Sequence, residues 1–272
     1  LYESRKERIH PKAKELVSSI INNHDGVLLE RSRKLNENIG ERVSVLPPDT
    51  RHVDYEIIPL TISDGCLYHC SFCCVKSARK FQARSKTSIM EQISKLKEFY
   101  GRNIENYGGL FLGNHDALGT GEELICNSAS EAYSAFGFEK QGKMTPFLFL
   151  FGSVHSLLRS EDELFERLDH LPYHTFINIG LESCDTPTLA QIGKPLDNTE
   201  VLQAFDKMVG INAIHENIEV TGNFVIGKGL SDDHYQSLKE LLRNAVATSN
   251  AKGTIYLSPL RDSRKKRELL PL

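Results

Sequence analysis

Residues 55–74 read YEIIPLTISDGCLYHCSFCC, an apolar run that stops at SDG and opens into a cysteine cluster. Tyr55 to Ile62 has the β-branched, apolar make-up of a buried strand, and Ser63-Asp64-Gly65 that of a turn. Four of the six cysteines in the chain crowd into positions 66 to 74. In a reducing compartment such crowding reads as metal ligation rather than disulfide pairing. Chemistry therefore sits at the end of the first strand, and the rest of the chain decides what sheet that strand belongs to.

Beyond the cysteines, helical and strand-like patterns alternate. Helices are predicted near 89–100, 122–136, 161–168, 199–208 and 233–247, with strands at 110–112, 147–151, 175–181, 218–226 and 254–257. Together with the first run this makes six strands with helices between them. Repeated βα units with short connections imply parallel strands, because each helix carries the chain back across the sheet. The near-continuous apolar run FLFLF at 147–151 supports burial on both faces. Six such units suit either a doubly wound sheet or an incomplete (β/α)6 barrel of the TIM type, and periodicity does not separate them. In both, functional groups collect where strands end and loops begin.

Upstream, the first fifty residues read as polar and helical, with Val17, Ile20 and Ile21 spaced along one helix face before HDG interrupts it. Pro47 and Pro48 end that pattern. Residues 1–52 are thus expected to form a helical N-terminal extension and residues 53–260 the α/β domain. The run RDSRKKRELLPL at 261–272 is expected to be a basic tail or a truncated connection. The chain of 272 residues is 40% hydrophobic and 25% charged, values of an ordinary globular protein that exclude collagen-like and disulfide-scaffold classes. A formal net charge of −3 gives no whole-chain reason to expect nucleic acid or a membrane as partner. No apolar run reaches the ~18 residues a bilayer requires, and the charged start lacks a secretory apolar core. A soluble, cytoplasmic protein is the expectation.

Cys66, Cys70 and Cys73 stand as CxxxCxxC, with the aromatic Phe72 before the last of them. An iron–sulfur cube normally takes four cysteines, so three leave one iron open to a small molecule. A structural zinc site is the competing reading and would need Cys74 or His69 as fourth ligand, although zinc sites usually show two paired spacings rather than one compact group. This spacing after a first strand resembles the CxxxCxΦC signature (Φ aromatic) of radical S-adenosylmethionine (SAM) enzymes. The resemblance implies an incomplete (β/α)6 barrel, with a [4Fe–4S] cluster on Cys66, Cys70 and Cys73. It further implies that the open iron binds the amino and carboxylate groups of SAM, that the reduced cluster passes one electron to the sulfonium, and that a 5′-deoxyadenosyl radical results, with Phe72 beside the cofactor.

Later strand ends extend the resemblance. LFLGNHDALGTG at 110–121 is similar to the segment that meets the methionine amino group, in the FLGDxxAL variant of the coproporphyrinogen-dehydrogenase and Elongator-subunit relatives. It implies cofactor contacts from Gly113, Asn114 and Asp116; the plain alternative is an ordinary turn, and His115 faces either solvent or substrate. FLFGSVHS places Ser153 at the same rim. INIGLESCDTPTLAQIGKP at 177–195 closely resembles GLESGSDxxLxxIxK of the same relatives. By that resemblance Glu182 accepts from the ribose hydroxyls or the methionine amine, Ser183 lies alongside, and Lys194 lies near the carboxylate. A Glu182 that merely pairs with a neighbouring base is the alternative. The departure is Cys184, where the family has glycine. EVTGNFVIGKGL, with Gly222 and Gly227, places Asn223 near ribose or adenine, and TIYLSPL offers Tyr256 or Leu257 to the adenine. Cys126 and Cys184 are expected to be buried structural thiols, and His69 and Cys74 receive no role.

Lys76, Arg79, Lys80, Arg84 and Lys86 follow the cysteines with no acid among them. They read as a docking face for an acidic electron donor such as flavodoxin or ferredoxin, as a site for an anionic substrate, or as a solvated loop. The basic run at 264–267 suits phosphate or simply water. An RNA substrate is compatible with these runs but has no other support: neither an RNA-binding module nor the further cysteine set of a methylthiotransferase is evident. The competing class is a non-catalytic iron–sulfur or zinc sensor, which would need no cofactor-shaped rim.

Overall fold

The computed structural model describes residues 10–68, 70–73, 75, 79–140, 145–248 and 252–260. The chain divides into two compact units, Leu1–Arg42 and Val43–Leu272. The first contains helices α1 (Pro11–Asn22) and α2 (Asp25–Ile39). Pro11 opens α1, where its missing N–H costs nothing, and Gly40 ends α2 in the left-handed conformation with φ 71°. Ile20 and Ile21 share the expected face of α1 but are 64% and 60% exposed.

The second unit starts earlier than the expected boundary at 52/53. Val43, Leu46 and Val53 pack against the sheet's aromatic core, which draws residues 43–52 away from the helical extension. The chain then runs through β1 (Ile57–Pro59), a short antiparallel ribbon of β2 (Ser63–Asp64) and β3 (Gln82–Ala83), α3 (Lys86–Tyr100) and β4 (Gly109–Asp116). It continues through α4 (Glu122–Phe136), β5 (Phe147–Gly152), α5 (Val154–Arg159), α6 (Asp162–Asp169), β6 (His174–Glu182) and α7 (Thr186–Gln191). The last described elements are α8 (Asn198–Ile214), β7 (Ile218–Ile226), α9 (Asp232–Thr248) and β8 (Ile255–Pro259). Six strands form one sheet in the order β1-β4-β5-β6-β7-β8, every pair parallel. Spatial order follows chain order without the reversal of a doubly wound sheet, so the fold is the incomplete (β/α)6 barrel, with β1 and β8 at its edges.

β1 is shorter than the run 55–62. Asp54 and Tyr55 hold left-handed backbone, with φ 49° and 63°, so the strand cannot begin there. Past Pro59 the backbone of Thr61 bonds a side chain of α3 instead: Thr61 N donates to Gln92 Oε1 at 3.2 Å, and Gln92 Nε2 donates to Thr61 O at 2.9 Å. α8 begins with a capping box, in which Asp197 Oδ1 accepts from Glu200 N and Glu200 Oε2 accepts from Asp197 N.

Ile57, Phe111, Phe149 and Phe176, one from each of four adjacent strands, form the core of one sheet face. Phe149 and Phe176 stack at 5.7 Å, and burying each such ring contributes roughly 2 kcal/mol. Towards β7 and β8 this face turns polar. Asn223 Nδ2 donates to Asn178 Oδ1, Asn178 Nδ2 to Thr221 Oγ1, Thr221 Oγ1 to Asp49 Oδ2, and Tyr256 Oη to Asp49 Oδ1. Burial pushes the Asp49 carboxyl up, opposed by the hydrogen bonds from Tyr256 and Thr221. Among the described residues no helix is long and apolar enough to cross a membrane.

Candidate cofactor site

The cysteine loop is tied down on both flanks. At its base the β2–β3 ribbon pairs Ser63 with Ala83 and Asp64 with Gln82. Gly65 has φ 69°, and a Cβ there would lie 2.4 Å from the carbonyl oxygens of Arg79 and Lys80, so only glycine lets the two arms close. Asp64 accepts from Arg84 Nε at 3.0 Å, from the Arg84 terminal nitrogen at 2.7 Å and from Arg79 at 3.3 Å. The Arg84 guanidinium holds the Asp64 carboxyl below its usual range. The basic run is therefore not free of acids in space: Arg84 is engaged with its side chain only 9% exposed, while Lys80 and Lys86 are exposed.

On the other flank, Ser71 N and Ser71 Oγ both donate to Ile192 O, at 3.0 and 2.7 Å. Gly193, with φ 68°, leaves room for Ser71: a Cβ there would sit 3.2 Å from Ser71 N. The loop is thereby stitched to the segment after β6 that contains Lys194. Cys66, Cys70 and Cys73 are half-buried and free of disulfides, as is Phe72 in burial. Burial pushes the Cys70 thiol up to about 11; the Lys194 ammonium opposes this, and Glu182, Cys73 and Cys66 reinforce it. Burial likewise raises Cys66 and takes the Tyr68 phenol up to about 12. Among the described residues no group of three His, Cys, Asp or Glu side chains is drawn close enough to hold a metal ion. The donor chemistry nevertheless fits an iron–sulfur cluster: three thiols within eight residues, electrostatically coupled, beside a buried cation.

At the end of β6 the backbone leaves the strand through Glu182 at φ 70°, a conformation that costs a non-glycine residue roughly 1 kcal/mol and is concentrated at functional sites. Glu182 Oε1 accepts from Lys194 Nζ at 3.1 Å, with the side chains 10% and 5% exposed. Lys194 Nζ also donates to Gly180 O at 2.5 Å. Gly180 leaves room for this pair, since a Cβ there would lie 2.5 Å from Glu182 Oε1 and 3.0 Å from Lys194 Nζ and would displace both side-chain ends. Ser183, expected beside the cofactor, is fully buried and turned inward: its hydroxyl bonds His234 Nδ1 at 2.7 Å and accepts from Asp185 N at 3.0 Å. His234, also fully buried, bonds Val225 O through Nε2 at 2.9 Å. It was invisible in the sequence, because nothing around position 234 marks it as a partner of a residue 51 positions earlier.

The β4 corner differs. Gly113 has φ 103° and allows a close backbone approach. Asn114 Oδ1 accepts from Ser44 N and Val45 N at 3.2 and 3.3 Å. Asp116 Oδ1 accepts from Gly119 N and Ser153 N, both at 3.1 Å, and Oδ2 from Ser156 Oγ at 2.6 Å. Ser153 caps α5, its hydroxyl accepting from Ser156 N. Three expected cofactor contacts thus have their polar atoms engaged within the protein. His115 is buried rather than facing solvent.

Asn223 is half-buried, and its Oδ1 is a buried acceptor with no partner among the described residues, which suits a hydroxyl or amino donor of a ligand. Leu257 does not join the others: it is 52% exposed, and strand alternation turns it away from Tyr256, which is in register with Asn223. Tyr256 itself is held by Asp49. Cys126 and Cys184 are buried, as expected of structural thiols. His69, Cys74, Lys76 and the run 261–272 lie outside the described residues.

The chain is thus a parallel partial barrel whose strand ends carry a three-cysteine loop beside a buried glutamate–lysine pair. The family model of the radical SAM superfamily matches residues 60–242, more than half of the chain. The chain belongs to that superfamily, whose enzymes use a [4Fe–4S] cluster and SAM. Among solved structures it is similar to the cobalamin-dependent S-adenosylmethionine radical enzyme OxsB with aqua-cobalamin and S-adenosylmethionine bound, with a TM-score of 0.45 and 19% identity over 68% of this chain and 26% of that one. It is also similar to a radical SAM methyltransferase from Sphaerobacter thermophilus (TM-score 0.44, 18% identity, 75% of this chain and 56% of that one). A third is methylornithine synthase, PylB (0.44, 12%, 85% and 64%). The chain spans about a quarter of the length of OxsB. No curated protein sequence matches it.

Proposed function

We propose that residues 53–260 hold a [4Fe–4S] cluster on Cys66, Cys70 and Cys73 and cleave SAM reductively to methionine and a 5′-deoxyadenosyl radical that acts on a further substrate. The observation that carries this reading is the cysteine loop bonded through Ser71 to the segment bearing Lys194, next to the buried Glu182. When bound, the cluster supplies one electron to the sulfonium. The protein's own groups bind and orient. Ligation requires thiolates, so loading the site displaces protons from thiols that burial keeps neutral. Glu182 accepts from the ribose hydroxyls or the amino group, Lys194 sits near the carboxylate, and Asn223 Oδ1 takes a hydroxyl or amino donor. Phe72 packs beside the cofactor and Gly113 admits it to the backbone. Asn114, Asp116, Ser153 and Ser183 hold this rim from behind.

The reaction needs a one-electron reductant; a flavodoxin or ferredoxin is the proposed donor, with the exposed Lys80 and Lys86 available to its acidic surface. Among the described residues no cysteine forms a disulfide, which suits a cytoplasmic setting. Anaerobic reconstitution followed by electron paramagnetic resonance tests the reading: adding SAM should change the signal of the reduced cluster, and 5′-deoxyadenosine should form. Cys70→Ala should abolish both. A loaded, reducible cluster whose signal ignores SAM would favour the non-catalytic sensor instead.

A further inference from the structure

Tyr68 stands between two of the candidate ligands, yet the residue is only 8% exposed while Cys66, Cys70 and Cys73 around it are half-buried. It is anchored at both ends. Its backbone N–H donates to Cys66 Sγ at 3.5 Å. Its hydroxyl meets His155 twice, lying 2.7 Å from Nδ1 and accepting from His155 N at 3.1 Å. The other ring nitrogen, Nε2, lies 2.8 Å from Glu200 Oε1. Glu200 is fixed in turn, since its Oε2 accepts from Asp197 N in the capping box of α8.

A neutral His155 with its proton on Nε2 satisfies the donors and acceptors along this row. An ionised Glu200 only accepts, so Nε2 carries the imidazole proton and Nδ1 is left as an acceptor. Nδ1 then takes the phenolic hydrogen, and the phenolic oxygen takes the His155 backbone N–H. The tautomer is assigned by this network. Packing around the hydroxyl is as specific: the His155 ring meets the Tyr68 ring edge-on at 5.4 Å, and Lys194 Nζ lies 5.6 Å from the Tyr68 ring centre. A ring needed only to fill space would not require a hydroxyl met by two groups of one residue on α5 and backed by a carboxylate on α8.

We infer that Tyr68, His155 and Glu200 form a brace that fixes the Tyr68 backbone, and with it the N–H···S bond to Cys66, making Tyr68 and His155 positioning residues for the cluster. The inference rests on the ligation proposed above. Hydrogen bonds to cluster sulfurs are one of the determinants of reduction potential, and each such bond stabilises the more negative, reduced state. Releasing the brace therefore lowers the potential as well as loosening the loop.

Three variants separate the parts. Tyr68→Phe keeps the ring over Lys194 and removes the hydroxyl. His155→Ala removes both hydrogen bonds of the imidazole, to Tyr68 and to Glu200, and keeps the backbone N–H to the Tyr68 hydroxyl. His155→Asn restores an acceptor near the Nδ1 position without reaching Glu200. Hydrogen–deuterium exchange by mass spectrometry on the apo protein should show the peptide containing residues 66–73 exchanging about tenfold faster in Tyr68→Phe and His155→Ala, roughly 1.4 kcal/mol of lost protection, with His155→Asn in between. In the reconstituted protein, redox titration followed by electron paramagnetic resonance should give a more negative midpoint for the first two variants and partial recovery for the third. Wild-type exchange together with a wild-type midpoint in Tyr68→Phe and His155→Ala would overturn the brace. If instead the wild-type chain takes up no cluster, the ligation reading fails, and the apo exchange still decides whether the brace orders the loop.

Discussion

At the end of β4, Asn114 and Asp116 direct their oxygens at the backbone N–H groups of residues 44, 45, 119 and 153. At the end of β6, Glu182 directs one at the Lys194 ammonium beside the cysteine loop. Both corners carry acidic or amide side chains after a glycine, and both resemble cofactor-binding segments. A carboxylate that accepts from several fixed donors is itself fixed, and its lone pairs are taken. One paired with a single cation keeps acceptor capacity for a ligand, because an ionised carboxylate offers about four lone-pair sites. On the proposed reading the first corner builds the rim and the second faces the cofactor.

Lys194→Met tests this contrast most severely. It leaves a buried carboxylate unpaired and Gly180 O without its donor, and the apo protein should lose about 3 to 5 kcal/mol in urea denaturation. A loss under about 1 kcal/mol would mean that Glu182 does not need its partner and that the two corners are alike. Asp116→Ala comes next. With Gly119 N, Ser153 N and Ser156 Oγ deprived of an acceptor, stability should fall by about 2 kcal/mol, while the SAM affinity of the reconstituted protein, read by calorimetric titration, changes less than threefold. A large affinity loss with unchanged stability would reverse the assignment and make Asp116 a cofactor contact.

The smallest effect concerns Cys184, which lies in the β6 corner. Burial takes its thiol up to about 12 from an ordinary 9.0. Its folded value exceeds its unfolded one, so its contribution is complete below pH 9 and is lost as pH rises towards 12. By pH 10 the difference amounts to about 1.4 kcal/mol. The apo protein should therefore lose stability more steeply between pH 8 and 10 than Cys184→Ala does, when both are followed by chemical denaturation. Parallel slopes would show the thiol to be less buried than it is in this fold.

Much of the barrel was readable because its signals are local. FLFLF at 147–151 and the run at 218–226 have strand length and apolar content within themselves, and the observed strands Phe147–Gly152 and Ile218–Ile226 follow them closely. Helices α5 and α7 escaped notice, as each has six residues, too few to establish a helical period. The β2–β3 ribbon pairs segments separated by the whole cysteine loop, so no pattern within either segment could announce it. Glu182 and Lys194 lie 12 positions apart in one motif, so the sequence names both, and the structure pairs them. It does not name His155 and His234, since their partners Tyr68 and Ser183 lie 87 and 51 positions away.

The cysteine spacing opening at Cys66 and the βα rhythm were determined by sequence alone, because ligand type, strand content and helical period are properties of neighbouring residues. Which polar atoms stay open to a cofactor was decided only by the tertiary structure. A hydrogen-bond acceptor is available or taken according to which backbone or side chain packs against it, and in a barrel that neighbour comes from another strand. Asn114 and Asp116 have the residue types of a binding site, and long-range packing turns their oxygens to backbone N–H groups of other segments.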